Sequence, residues 1–139
     1  MLSKTPSFGI AGLDGYLVTV EADCGPGLPL FTVVGLPDSS VRESRERVRS
    51  AIKNSGFDFP SGRITVNLAP ADTKKEGPNF EVAIALSILA SSGQVPLEPL
   101  NRFAFLGELS LDGNIHAVRG TLAASLNAKG QNLKGLVVP

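Results

Sequence analysis

The run KKEGPNFE, Lys74 to Glu81, brings two ammonium groups, two carboxylates and a carboxamide around a Gly77-Pro78 corner. A strand candidate, RITVNLAP (Arg63 to Pro70), precedes it, and a nearly all-apolar helix candidate, NFEVAIALSILASS (Asn79 to Ser92), follows. In a strand-turn-helix junction of this kind Gly77 relaxes the backbone and Pro78 suits a first helical position. The next residue then projects from a helix N-terminus, where unpaired N–H groups favour a nucleophile or an anion. Asn79 holds that place, and its amide is no nucleophile.

Other chemistry-bearing residues are sparse. Ser87, Ser91 and Ser92 lie on or near the apolar helix, where close packing or helix termination accounts for them, and no Gly-x-Ser-x-Gly elbow occurs. His116, the one histidine, has no Cys or His neighbours to form a metal site or a catalytic pair. None of the 15 glycines belongs to a Gly-x4-Gly-Lys-Ser/Thr string, so phosphate cradling by a P-loop is excluded for this segment.

The densest charge lies between Ser40 and Asn54, where Arg42, Arg45, Arg47, Arg49 and Lys53 face only Glu43 and Glu46. Two readings stand. One is a solvated helix face with pairs such as Glu43 with Arg47, each worth about 0.2–0.5 kcal/mol. The other is contact with nucleic-acid phosphates by Arg42, Arg45, Arg49 and Lys53, which neutralises charge without reading bases. Lys74 and Lys75, beside a helix N-terminus, form a second candidate anion site, opposed by Glu76 and Glu81. No strand interleaves aromatic and basic residues as a stacking platform for single strands would.

These groups need a scaffold. Tyr16 to Ala22 and Leu30 to Val34 are β-branched and apolar, and with Cys24-Gly25-Pro26-Gly27 between them they predict a hairpin. Ser40 with Glu43 has capping-box spacing and predicts a helix to Asn54, ending before Gly56, with Val41, Ser44, Val48, Ala51, Ile52 and Ser55 on its packed stripe. The apolar helix after Asn79 has almost no polar side and is expected at the centre of the fold, stopped by Gly93. Phe103 to Leu109 predicts a strand, Asp112-Gly113 or Gly113-Asn114 a turn, and Ile115 to Val118 its partner. A short helix over Thr121 to Lys129 and a strand over Leu133 to Val138 complete the chain. This order implies a mixed-sheet α/β domain of the α+β type in two layers.

The 139 residues make about one domain, and 42% hydrophobic with 19% charged residues implies a folded core. Thirteen cations balance thirteen anions, so any nucleic-acid contact must come from a local patch. The single cysteine, Cys24, forms no internal disulfide, and no apolar run reaches the roughly 20 residues that span a bilayer. A cytoplasmic setting without membrane contact is expected. The chain stops at Pro139, at the end of a strand candidate, which we read as one domain, residues 1–139, of a longer protein.

The Lys75-Glu76-Gly77-Pro78-Asn79 turn resembles the PKDGPSAG turn of Lon-type peptidases, whose serine falls on Asn79. FLGELSLDGNIHAVRGTL, Phe105 to Leu122, is similar to the segment in which those enzymes supply a catalytic lysine. Leu122 stands at that position, so the resemblance implies degenerate catalytic positions at Asn79 and Leu122.

A closer likeness covers nearly the whole chain. GLPDSSVRESRERVRSAIKNSGFDFP (Gly35 to Pro60), ITVNLAPADTKKEG (Ile64 to Gly77) and FLGELSLDG (Phe105 to Gly113) resemble the N-terminal domain of the ComM/YifB family of magnesium-chelatase-like AAA+ ATPases. Three ordered blocks are far more specific than one glycine pattern. The resemblance implies a Lon-protease-like fold, shared with the second domain of a small-subunit ribosomal protein, that carries no catalysis and no cofactor itself. It further implies a parent that binds ATP and Mg2+, assembles as a ring through its ATPase module and acts on DNA in branch migration during uptake of transforming DNA. Two other functions remain open: a Lon-like peptidase with relocated catalytic residues, and a magnesium-chelatase subunit domain. No acidic cluster suited to Mg2+ is visible in the sequence.

Overall fold

The computed structural model describes every residue from Met1 to Pro139. Its elements in chain order are β1 (Leu2–Ala11), β2 (Asp14–Gly25), β3 (Leu30–Val34), α1 (Ser39–Asn54), β4 (Arg63–Ala69), α2 (Glu81–Ser91), β5 (Phe103–Phe105), β6 (Glu108–Leu109), β7 (Ile115–His116), α3 (Thr121–Ala128) and β8 (Gly135–Val137). A 3-10 turn at Leu100–Arg102 leads into β5. The chain is a mixed α+β fold, as its element order implies.

The main sheet has the order β1-β2-β4-β3. β1 pairs antiparallel with β2, β2 antiparallel with β4, and β3 parallel with β4. The hairpin expected between Tyr16–Ala22 and Leu30–Val34 is therefore absent. The chain does reverse after Gly25, but it leaves a gap of one strand, and β4 fills it. β4 takes the central place because its alternate residues Ile64, Val66 and Leu68 are all buried and its backbone then finds ladder partners on both sides.

β1 is a strand that the hydrophobic pattern misses. Ser3, Thr5 and Ser7 are buried on the face that β1 shares with Val18, Val20 and Ala22, and Pro6 lies within the strand opposite Thr19. Pro6 is tolerated because β1 is an edge of this sheet. The hydroxyls are satisfied: Ser3 donates to the Ser87 carbonyl, Ser7 donates to that of Phe105 at 2.8 Å, and Thr5 accepts from Ser87 Oγ at 2.8 Å. Ser87 thus docks α2 onto the sheet.

The main core joins Val18, Val20 and Ala22 of β2 and Ile64, Val66 and Leu68 of β4 to the inward faces of α1 and α2. A smaller cluster sets Phe8 with Ala104, Leu106 and Ala124, with Ile10 and Leu17 packed beside it. Side chains alternate along a strand, so Phe8 and Leu17 lie on the other face from Val18 and Val20. Two helices on one face match the two-layer expectation, and α3 adds partial cover to the other.

α1 runs over the expected residues, but its cap differs. Asp38, not Ser40, accepts from Val41 N at 2.8 Å, and Ser40 Oγ donates to the same Asp38 oxygen at 2.7 Å. Glu43 pairs with Arg47 at 2.6 Å and plays no part in capping. Val41, Ser44, Val48, Ala51 and Ile52 are buried as expected, whereas Ser55 is exposed. α2 is the central helix, with every residue except Leu86 buried. It begins at Glu81, two residues later than the Gly77-Pro78 corner suggests, because Pro78 and Asn79 form a separate turn closed by Glu81 N on the Pro78 carbonyl at 3.4 Å.

The expected strand Phe103–Leu109 is broken into β5 and β6, which pair with different partners, β8 and β7. Between them Gly107 has φ +159° and sits where an added Cβ would meet Val82 and Ile115 within 3 Å. The β6–β7 hairpin turns as predicted at Asp112–Asn114, with Ser110 N donating to the Asn114 carbonyl at 2.9 Å. No helix is long and apolar enough to cross a membrane.

Candidate functional site

Two concave regions collect the polar residues. The first is the turn before α2. Its backbone is tied to the loop before α1 by Lys75 N donating to the Leu36 carbonyl at 2.9 Å and Asp38 N to the Lys75 carbonyl at 3.0 Å. Ser40 Oγ adds a third tie by accepting from Gly77 N at 3.1 Å. The Asn79 side chain is nearly buried, and its Nδ2 donates to the Arg119 carbonyl at 3.3 Å, while the Asn79 carbonyl accepts from Gly107 N at 3.1 Å.

Asn79 lines a cleft of about 640 Å³ together with Asp38, Glu76, Glu108 and Arg119. No serine, threonine, cysteine, lysine or histidine contributes to its lining. Leu122, the other position that the Lon resemblance marks, is 74% exposed on α3 and lies outside it. Ser87, Ser91 and Ser92 donate elsewhere, to Thr5 Oγ1 and to the Val20, Met1, Ile88 and Leu89 carbonyls.

The candidate anion site at Lys74 and Lys75 is not formed as expected. Lys75 is fully buried, and its ammonium donates to the Gly35 carbonyl at 2.8 Å and to the Pro70 carbonyl. Burial holds its pKa below the ordinary lysine value, and Asp72 partly offsets this. Lys74 is exposed and lies 3.8 Å from Glu76. The neighbouring helix end holds its own anion, since Glu81 is the first residue of α2.

The fully buried Glu81 carboxylate is a hub that the sequence reading missed. Its Oε2 accepts from Arg47 and from Ser44 Oγ, and its Oε1 accepts from Leu109 N at 2.9 Å. The hydrogen bond to Glu81, with a smaller contribution from Glu43, raises the Arg47 pKa further above its already high value. A lone acid opening an otherwise apolar helix was the only available signal.

The second region is a groove of about 530 Å³ between α1, β3 and the segment Phe59–Gly62. Arg45, Arg49 and Lys53 line it, and no Asp or Glu does. They recur every four residues and so share one helix face. Arg45 Nη1 donates to the Phe31 carbonyl and its Nε to that of Arg42, both at 3.1 Å. The Arg49 guanidinium lies over the Phe59 ring, 5.1 Å from its centroid, and its Nε is the one buried side-chain polar atom of the chain with no hydrogen-bond partner.

Phe31 and Phe59 pack at 5.7 Å with a 44° tilt, so aromatic surface lies next to the cations after all. Sequence periodicity could not show this, because Phe59 lies in the connection after α1 and reaches Arg49 only through the fold. Arg42 is exposed beyond the groove, and Arg47 turns to Glu81 and Glu43. His116 is exposed on β7, and no group of three or more His, Cys, Asp or Glu side chains converges as a metal site.

The family model described as subunit ChlI of Mg-chelatase matches residues 20–139. The chain belongs to this family. Among curated relatives, this ChlI-family chain is 48% identical over 118 residues to competence protein ComM of Haemophilus influenzae, covering 85% of the chain and 23% of that protein. It is 44% identical over 117 residues to YifB of Escherichia coli, covering 84% and 23%. A more distant similarity, 28% over 132 residues, links it to the Lon protease of Koribacter versatilis, covering 90% and 16%. The chain spans about a quarter or less of the length of these relatives. The ComM/YifB likeness and the more distant Lon likeness read from the sequence both agree with these similarities.

Proposed function

We propose that this domain is the catalytically silent N-terminal part of a magnesium-chelatase-like AAA+ ATPase that acts on DNA, and that it contributes phosphate contacts through α1. Arg42, Arg45, Arg49 and Lys53 are the contact residues. The observation that carries this reading is the α1 groove, where three cations stand without a carboxylate partner. Charges left unpaired on a neutral domain favour an anionic ligand, and a nucleic-acid backbone supplies anions at the spacing of a helix face.

ATP, Mg2+ and ring assembly belong to the remainder of the parent, in a cytoplasmic setting. The name competence protein, borne by the Haemophilus relative, supports DNA uptake as the process. Absence of peptidase chemistry is supported by the cleft lining, which offers neither hydroxyl nor amine.

The combined substitution Arg42→Ala, Arg45→Ala and Arg49→Ala tests the reading by fluorescence anisotropy with labelled DNA across a salt series. Affinity falls, and the slope of log K against log salt flattens by about 0.7–0.9 per phosphate contact removed. An unchanged affinity and slope would remove α1 from the interface. A second reading, favoured by the family description, is a chelatase subunit domain. It requires magnesium insertion into a porphyrin to depend on this domain when it is joined to its ATPase, and independence from it excludes that role.

A further inference from the structure

We infer that the α1 groove binds single-stranded rather than duplex DNA, with one strand running along α1 and a base held against the Arg49–Phe59 stack. This rests on the DNA reading above and narrows it to one form of the polymer.

Three features point the same way. The first is shape. Arg45 and Arg49 are only half-exposed, and Pro29 and Pro60 wall the groove. A space of about 530 Å³ has the size of a small-ligand pocket, which admits nucleotides of a single flexible strand but not the body of a double helix. The convex outer surface of α1, where Arg42 sits, is the part a duplex could reach.

The second is spacing. Arg45, Arg49 and Lys53 step along α1 by about 6 Å per four residues. That row follows one backbone, phosphate after phosphate, without needing a second strand.

The third is the presence of π surface next to the charge. A duplex hides the faces of its bases in its own stack, so the half-buried Phe59 ring and the Arg49 guanidinium over it gain nothing from it. A single strand presents each base face, and aromatic rings or guanidinium planes take it regardless of sequence. Ser61 is the only neutral polar side chain among the lining residues, so base-edge readout is minimal and recognition is by form.

The test compares a labelled thymidine oligomer of about 16 nucleotides with a duplex of equal length, using the 139-residue chain and its Phe59→Leu, Arg49→Lys and Arg42→Ala variants. Wild type binds the single strand about tenfold tighter. Phe59→Leu and Arg49→Lys each lose about fivefold or more on the single strand and change little on the duplex, whereas Arg42→Ala weakens both alike. Arg49→Lys keeps the charge, so a selective loss there reports the planar group. Circular dichroism confirms that each variant is folded, and should Phe59→Leu unfold, Arg49→Lys carries the comparison.

An oligouridine of the same length binding comparably supports the shared single-strand chemistry. Equal or tighter duplex binding overturns this inference and leaves phosphate contact by α1 intact. Failure to bind either form, or tighter binding of polyglutamate than of both, defeats the DNA reading itself.

Discussion

The Arg47 guanidinium and the Glu81 carboxylate meet at 2.7 Å, joining the outer flank of α1 to the first turn of α2. Glu81 is fully buried while Arg47 is about a quarter exposed, so the pair runs from the core to the surface. Ser44 Oγ and Leu109 N complete the carboxylate's partners, and one buried side chain thereby fixes α1, α2 and β6 together.

Removing one member of such a pair leaves the other groups unpaired, which costs more than the pair contributes over an apolar substitute. We expect Glu81→Ala to lower unfolding free energy by about 3–5 kcal/mol in urea titration. Glu81→Gln, which keeps an acceptor for Leu109 N, costs less. A loss below 1 kcal/mol for Glu81→Ala would show that the hub is energetically idle.

Lys75 offers a pH-resolved test. Its folded pKa lies below the ordinary 10.5, with burial the main cause. Between the folded and unfolded values the unfolded chain binds more protons, so this residue's contribution to stability rises with pH through that window. Lys75→Met removes the slope and orphans the Gly35 and Pro70 carbonyls, at about 1–3 kcal/mol each. The difference between wild type and variant, measured from neutral pH up to about 10.5, isolates Lys75 from Tyr16, whose raised pKa gives the opposite trend in alkali. A difference that shrinks with rising pH would contradict the assignment.

Gly35 receives that ammonium and has φ +101°, and a Cβ there would lie 2.3 Å from the Leu68 carbonyl oxygen. Gly35→Ala therefore meets both an unfavourable backbone region and a backbone clash. The dihedral alone costs about 1–3 kcal/mol, and thermal unfolding monitored by circular dichroism reads it directly. A melting temperature equal to wild type would mean that the loop rearranges freely.

Placing serine and lysine at the two positions that the Lon resemblance marks, Asn79 and Leu122, is not expected to form a dyad. Leu122 lies outside the Asn79 cleft, and Val82 N already donates to the Gly107 carbonyl at 3.2 Å. The Asn79→Ser, Leu122→Lys double variant is expected to give no covalent labelling by a fluorophosphonate probe. Labelling at residue 79 would show that a reactive serine lies within two substitutions of this chain.

Much of the scaffold was legible in local pattern. α1 and α2 follow from apolar periodicity and from an uninterrupted apolar run, and the Asp112–Asn114 turn from its Asp-Gly-Asn sequence. β1 was hidden because its inward residues are serines and a threonine, whose burial is tolerable only once Ser87 and the Phe105 carbonyl stand opposite. The hairpin was misread because strand neighbours depend on β4, which lies about thirty residues further along the chain.

By itself the sequence determined the family likeness, the helix carrying the cations, and the asparagine and leucine at the two positions, Asn79 and Leu122, where the Lon resemblance expects serine and lysine, since these are matters of residue identity and short-range spacing. Only the tertiary structure decided which charges are free. Lys75 and Arg47 look like surface cations in one dimension, yet each found buried oxygen partners from distant segments. Arg45, Arg49 and Lys53 found no carboxylate, and the fold set Phe59 beside them. The physical reason is that a charge's role depends on the groups packed against it, and those groups come together only when the chain has folded.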